Sequence, residues 1–147
     1  MGRVFVHQLR RRNHYGESQI LSAPFICGPT QDTVSFHEID QSQPLEEWIK
    51  AYLDHPWSPH GDRVGACIVT EEDFAMAGVQ PRLDDQDLGD DPWIDRHYVL
   101  DCPVELDVAT ALADAATAHA RKGMFWPHVK KGKTERPLSA PFAINGY

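Results

Sequence analysis

At Pro44 the hydrophobic period of the chain changes, and that change limits the folds open to it. Before Pro44, apolar residues alternate or run in short blocks. Arg3 to Leu9 (RVFVHQL), Gln19 to Cys27 (QILSAPFIC) and Thr33 to Ile39 (TVSFHEI) read as three strands joined by short turns. After it, Leu45, Trp48, Ile49, Tyr52 and Leu53 recur at the spacing of one helix face. Pro44 suits the first helical position, where a missing N–H costs nothing. Glu46 and Glu47 complement the positive end of the helix, and Glu46 can pair with Lys50 one turn on. Pro56 disfavours helical geometry at His55, so the helix is expected to stop near Asp54.

Strand and helix then alternate. RVGACIV, residues 63–69, is a continuous apolar run expected of a central strand. Thr70 and Asp73 have the spacing of a capping box, Val69 and Phe74 that of a hydrophobic staple, and Gly78 closes the short helix. Residues 80–96 read as one long acidic loop. From His97 to Leu106 the pattern alternates strictly, and Pro103, lacking a ladder donor, places that strand at or near a sheet edge. Asp107 is expected to cap a helix running to Lys122, ended by Gly123, with Val108, Ala111, Leu112 and Ala115 on its buried face. MFWPHVKKGKTE then reads as a loop and PLSAPFAI as a last strand. The expectation is a single α+β domain over residues 1–147, of order βββαβαβαβ, with a mixed or largely antiparallel sheet and helices packed on one face. LSAPF occurs at 21–25 and again at 138–142 without any periodic repeat, and reads as two proline-interrupted edge strands.

Composition decides the class. With 41% hydrophobic and 24% charged residues, 147 residues are enough to bury a core, and no segment has the apolar length to cross a bilayer. Cys27, Cys67 and Cys102 are odd in number, lack CxxC spacing and lie in apolar runs. They read as reduced thiols of a soluble cytoplasmic protein. The net charge of −8 is unevenly spread: residues 1–31 carry +3, residues 115–147 carry +5, and residues 32–114 carry −16.

Three stretches could carry chemistry. DHPWSPHGD, residues 54–62, offers His55, His60 and Asp62 as ligands for a divalent metal or as general acid and base. The two histidines are not at helical spacing, however, and HExxH is absent, so a stiff helix-to-strand connector is the leading reading. Trp–Pro pairs recur in HPW (55–57), DPW (91–93) and WPH (126–128). If these loops converged, their tryptophans would form a pocket rimmed by His55, His60, His97 and His128. The bland alternative is that the tryptophans anchor loops to the core. GxSxG, GxxxxGK[ST] and GxGxxG are all absent, and DDQDLGDD does not follow the calcium-loop pattern. Arg10, Arg11 and Arg12 beside Tyr15, and Lys130 and Lys131 near Trp126, could touch nucleic acid weakly, although the acidic middle would repel phosphate.

The dominant charge points elsewhere. Asp84, Asp85, Asp87, Asp90 and Asp91, with Trp93 as apolar anchor, suit docking on a basic protein partner. The leading expectation is therefore a non-catalytic interaction or regulatory protein, inhibitor-, immunity- or adaptor-like. The alternatives are a metal-dependent or His/Asp acid–base hydrolase built on the 54–62 loop, and a subunit of a larger assembly.

Overall fold

A computed structural model describes residues 2–9, 19–54, 65–85 and 91–127. Within them a six-stranded antiparallel sheet is formed by β1 (Val4–Leu9), β2 (Thr33–Glu38), β3 (Gly65–Thr70), β4 (Arg82–Leu83), β5 (His97–Asp101) and β6 (Phe125–Pro127), in the spatial order β4-β5-β2-β1-β3-β6. The helices are α1 (Leu45–Asp54), α2 (Glu71–Met76) and α3 (Leu106–Arg121). None of the described helices is long and apolar enough to cross a membrane.

The α+β class is the one expected, and the helices divide between both faces of the sheet rather than lying on one. Strand residues alternate in direction, so each strand supplies two layers. Phe5, Leu9, Val34, Phe36, Cys67, Val69, Leu100 and Phe125 face α2 and α3. Val6, Ala66, Ile68 and Trp126 face α1 through Trp48, Ile49, Tyr52 and Leu53. Both sides of β1 and β3 are therefore buried, which is why GACIV is apolar without a break. On the α2/α3 side, Phe74 meets Phe5 and Phe36 edge-to-face, with ring centroids 5.3 and 5.0 Å away.

Local signals held where short-range chemistry dictates geometry. α1 is described as far as Asp54, and the stop expected from Pro56 lies outside the described residues. The Thr70 side chain accepts from the Asp73 N–H while the Asp73 carboxylate accepts from the Thr70 N–H, closing the capping box of α2. Gly78 and Gly123 take the left-handed conformation that ends their helices, at φ 81° and 98°.

Several expectations are corrected. QILSAPFIC is not a strand: Ile20 makes an isolated bridge, and Pro24 opens a 3-10 turn over Ala23–Phe25. The acidic loop contributes β4, which pairs with β5; β5 is thus near the edge of the described sheet, as expected, but it ends at Asp101, and Pro103 falls just beyond it. Phe125–Pro127 is a strand at the other edge of the described sheet rather than loop. The buried face of α3 is Ala109, Leu112, Ala113, Ala116, Thr117 and Ala120, with Ala111 exposed. Alanine occupies so many positions of this helix that its apolar stripe had no sharp direction. The second LSAPF copy and the final strand PLSAPFAI lie outside the described residues.

The three cysteines are not all thiols. Cys27 and Cys102, 75 residues apart in sequence, form a disulfide with their Cα atoms 6.0 Å apart. An odd count leaves one cysteine over, and that is Cys67, buried mid-strand, where desolvation pushes its thiol up and keeps it protonated. The pairing is topological: the segment after the 3-10 turn returns to the end of β5, a meeting that sequence spacing does not encode.

Candidate functional site

The most concentrated polar chemistry lies on the α1 face of the sheet. Val34 and Phe36 of β2 point toward α3, so His37 must point the other way, toward α1. The β2–β5 register sets His37 opposite His97, with ring centroids 5.1 Å apart. From α1, the Tyr52 hydroxyl reaches His37 Nδ1 at 2.8 Å, and from β1 Gln8 Nε2 donates to the same hydroxyl at 3.0 Å. On the other side of the ring, Nε2 lies 2.6 Å from Asp91 Oδ2. The Trp93 N–H donates to Asp91 Oδ1 at 2.9 Å.

Donor chemistry fixes the direction of this chain. An ionised carboxylate only accepts, so His37 Nε2 carries hydrogen and donates to Asp91. The Tyr52 hydroxyl accepts from Gln8 and donates to His37 Nδ1. Burial pushes the Asp91 carboxyl up, but the hydrogen bond from His37, the Trp93 N–H and the nearby His97 outweigh it and hold Asp91 below the usual carboxylate range. Trp48 stacks on Tyr52 at 5.2 Å, and Trp93 meets the Tyr52 ring edge-on at 5.3 Å, so aromatic rings wall the hydroxyl in.

Such a relay resembles an acid–base constellation, yet its access decides its role. Tyr52 is 1% exposed and His37 4%, so the relay reaches the surface through Asp91, whose side chain is 12% exposed. The relay ties α1, the 91–93 turn and two strands together. One atom is left over: among the described residues, buried Gln8 Oε1 has no hydrogen-bond partner. His97 is more open, half-buried, with Nδ1 donating to the Asp84 carbonyl at 2.9 Å. That bond leaves Nε2 as the nitrogen with a lone pair.

A second His–Asp pair lies on the opposite face. His119 Nε2 of α3 meets Asp73 Oδ2 at 2.8 Å, on the oxygen that also accepts from the Thr70 N–H. It joins the C-terminal end of α3 to the first turn of α2. The capping spacing identified Asp73, but nothing local points to a histidine 46 residues away.

Of the residues singled out from sequence, His55, His60, Asp62, Asp87, Asp90, Arg10, Arg11, Arg12, Lys130 and Lys131 lie outside the described residues. Among the described residues, no group of three or more His, Cys, Asp or Glu side chains could hold a metal ion. Asp84 and Asp85 follow β4, half-buried and exposed respectively. Asp91 is drawn inward onto His37, and Trp93 packs on Trp48 and Tyr52. Of the Trp–Pro pairs, Trp93 and Trp126 do share the α1 face, where Trp126 Nε1 donates to Glu46 Oε2 at 3.0 Å. Both act as anchors of chain to core. Sequence reading missed His37, Gln8 and the bond made by Tyr52. The only signals were a polar residue on the second face of β2 and a hydroxyl within an otherwise apolar helix face.

No protein-family model, curated protein or solved structure matches this chain.

Proposed function

We propose that this chain is a non-catalytic interaction or regulatory protein that binds a basic protein partner through its acidic surface. The observation that supports this reading is the concentration of acidic charge in the middle of the chain. Residues 32–114 carry twenty carboxylates against four lysines and arginines, a net of −16 within a chain of net −8. Ion pairs among the described residues engage part of that charge. Arg3 pairs with Glu71 and Arg82 with Asp101, at 2.7 and 2.8 Å, and Arg96 stands 3.9 Å from Asp40. Such a field steers a cationic partner and raises its association rate more than its final affinity.

The surface best suited to docking is the β4 edge of the described sheet. Leu83 is 45% exposed there and is followed by Asp84 and Asp85. Asp95, also exposed, lies two residues before His97, whose carbonyl accepts from the Asp84 N–H at 2.8 Å. Leu83 supplies the apolar contact assigned from sequence to Trp93. The largely buried Tyr52–His37–Asp91 relay weighs against catalysis at that site. The Cys27–Cys102 bond weighs against the cytoplasmic expectation, because disulfides persist chiefly in oxidising compartments.

The test is capture on immobilised wild-type chain and on Asp84→Asn/Asp85→Asn at low salt, then titration of each purified partner against salt. A basic partner lost from the variant and released as salt rises supports the reading. Equal capture by both baits overturns it.

One observation favours a second reading, acid–base chemistry at His97: its ring is half-open and its tautomer is set by the Asp84 carbonyl. An activity abolished by His97→Gln with unchanged stability would select it.

A further inference from the structure

His7 of β1 is 7% exposed, and both of its ring nitrogens face backbone carbonyl oxygens. Nδ1 is 2.7 Å from the Ser35 oxygen of β2, and Nε2 is 2.7 Å from the Pro24 oxygen of the 3-10 turn. The ring lies between two phenyl rings, Phe25 at 4.8 Å and Phe36 at 4.9 Å, inclined by 25° and 35°.

Carbonyl oxygens accept and never donate. A neutral imidazole has one N–H and one lone pair, so either tautomer would set a nitrogen lone pair against a carbonyl oxygen at 2.7 Å. Only the imidazolium donates at both nitrogens. The flanking phenyl faces carry the negative part of their quadrupoles toward the ring and favour a cation between them. Charge-assisted bonds at both nitrogens offset part of the cost of burial.

We propose that the folded chain holds His7 as an imidazolium, and that this cation is a pH-dependent latch on the strap formed by residues 20–27. The strap crosses the α3 face and is held at three places. The Ile20 N–H donates to Thr117 Oγ1 at 2.9 Å, the Pro24 carbonyl accepts from His7, and Cys27 is bonded to Cys102. The two carbonyls are not equally fixed. Ser35 sits within the β2–β5 ladder opposite Val99, whereas Pro24 belongs to a single 3-10 turn. When the proton leaves, one carbonyl loses its donor, and the strap is the side that yields.

Among the described residues, the ionisable side chains facing His7 from the elements around it are few. Cys67, its register partner on β3, is kept as a thiol by burial, and Tyr98 of β5 lies beyond Phe36. The strap's own cysteine is bonded, and the α3 side is alanine, leucine and Thr117. The sign follows from which state holds the proton. The folded chain retains a proton that an unfolded histidine sheds near pH ~6.5, so the latch is fully closed in acid and opens as pH rises above neutrality.

The experiment is NMR on the full chain with 15N-labelled histidine, comparing both ring nitrogens at about pH 7.5 and following amide exchange across the strap up to about pH 9. His7 is assigned from His7→Gln or, should that variant not fold, from backbone connectivities in the wild type. The expected result is two protonated ring nitrogens at the lower pH. Exchange protection at Phe25 and Ile26, whose N–H groups bond Ser22 and Ala23, should fall about tenfold as His7 titrates, after correction for intrinsic rates. A neutral His7 with one unprotonated nitrogen at about pH 7.5 overturns the proposal. So does strap protection that stays constant while His7 loses its proton.

Discussion

Replacing Tyr52 by Phe tests whether the buried relay is a structural tie. The substitution keeps the ring against Trp48 and Trp93 and deletes only the hydroxyl, so packing is nearly unchanged. Among the described residues two hydrogen bonds go: the one accepted from Gln8 Nε2 at 3.0 Å and the one donated to His37 Nδ1 at 2.8 Å. Each is worth about 1 kcal/mol net, and stranding a buried amide adds about 1–2 kcal/mol, so Tyr52→Phe should cost about 3–4 kcal/mol. Gln8 is the sensitive partner because its Oε1 is already unpaired among the described residues. Gln8→Met removes that orphan along with the bond to Tyr52, so alone it should stay within about 1 kcal/mol of wild type. In the Tyr52→Phe background the same change removes a carboxamide with nothing to bond. The double variant should then be about 1–2 kcal/mol more stable than the sum of the single effects implies. Urea unfolding with an unchanged slope reads these values from the midpoints. Tyr52→Phe within about 0.5 kcal/mol of wild type, or strict additivity, would refute the reasoning.

Asp91 is held below the usual carboxylate range, so its contribution to stability is present above about pH 4 and is lost as pH falls further. Asp91→Asn should therefore unfold more easily than wild type at neutral pH, with the gap closing in acid; a gap independent of pH would contradict the pairing with His37. The Cys27–Cys102 bond closes a loop of 75 residues, for which the chain-entropy model gives about 4 kcal/mol. Reduction, or Cys27→Ser/Cys102→Ser, should lower the unfolding free energy by up to that amount. A free-thiol titration of the untreated, denatured chain should find Cys67 alone, and three thiols there would exclude the bond.

What could be read from the sequence was whatever depends on neighbours within a turn. Pro44, Thr70 with Asp73, and Gly78 set helix boundaries through bonds and dihedrals spanning a few residues, and those boundaries held. Strand identity held where β-branched and aromatic residues alternate, as in β2 and β5. It failed at QILSAPFIC, where Pro24 redirected an equally apolar run into a 3-10 turn. The site was far less legible. His37 meets Tyr52 and Asp91 across separations of 15 and 54 residues, Tyr52 meets Gln8 across 44, and no spacing rule connects them. The disulfide failed for the same reason, since a pairing between distant segments depends on topology. Charge was legible in amount, but Asp91 shows that a carboxylate within an acidic run can turn inward when a buried imidazole stands behind it.

The central claim is that the acidic segment around Asp84 and Asp85, beside exposed Leu83, is a docking surface for a basic protein. Its most direct test is the equilibrium affinity of a captured, purified partner for wild type and for Asp84→Asn/Asp85→Asn, at about 50 and 300 mM salt. The account predicts binding weakened about tenfold or more by the substitution at low salt, and a smaller difference at high salt as screening removes the charge contribution. Affinity that depends on neither the two aspartates nor the salt would contradict it.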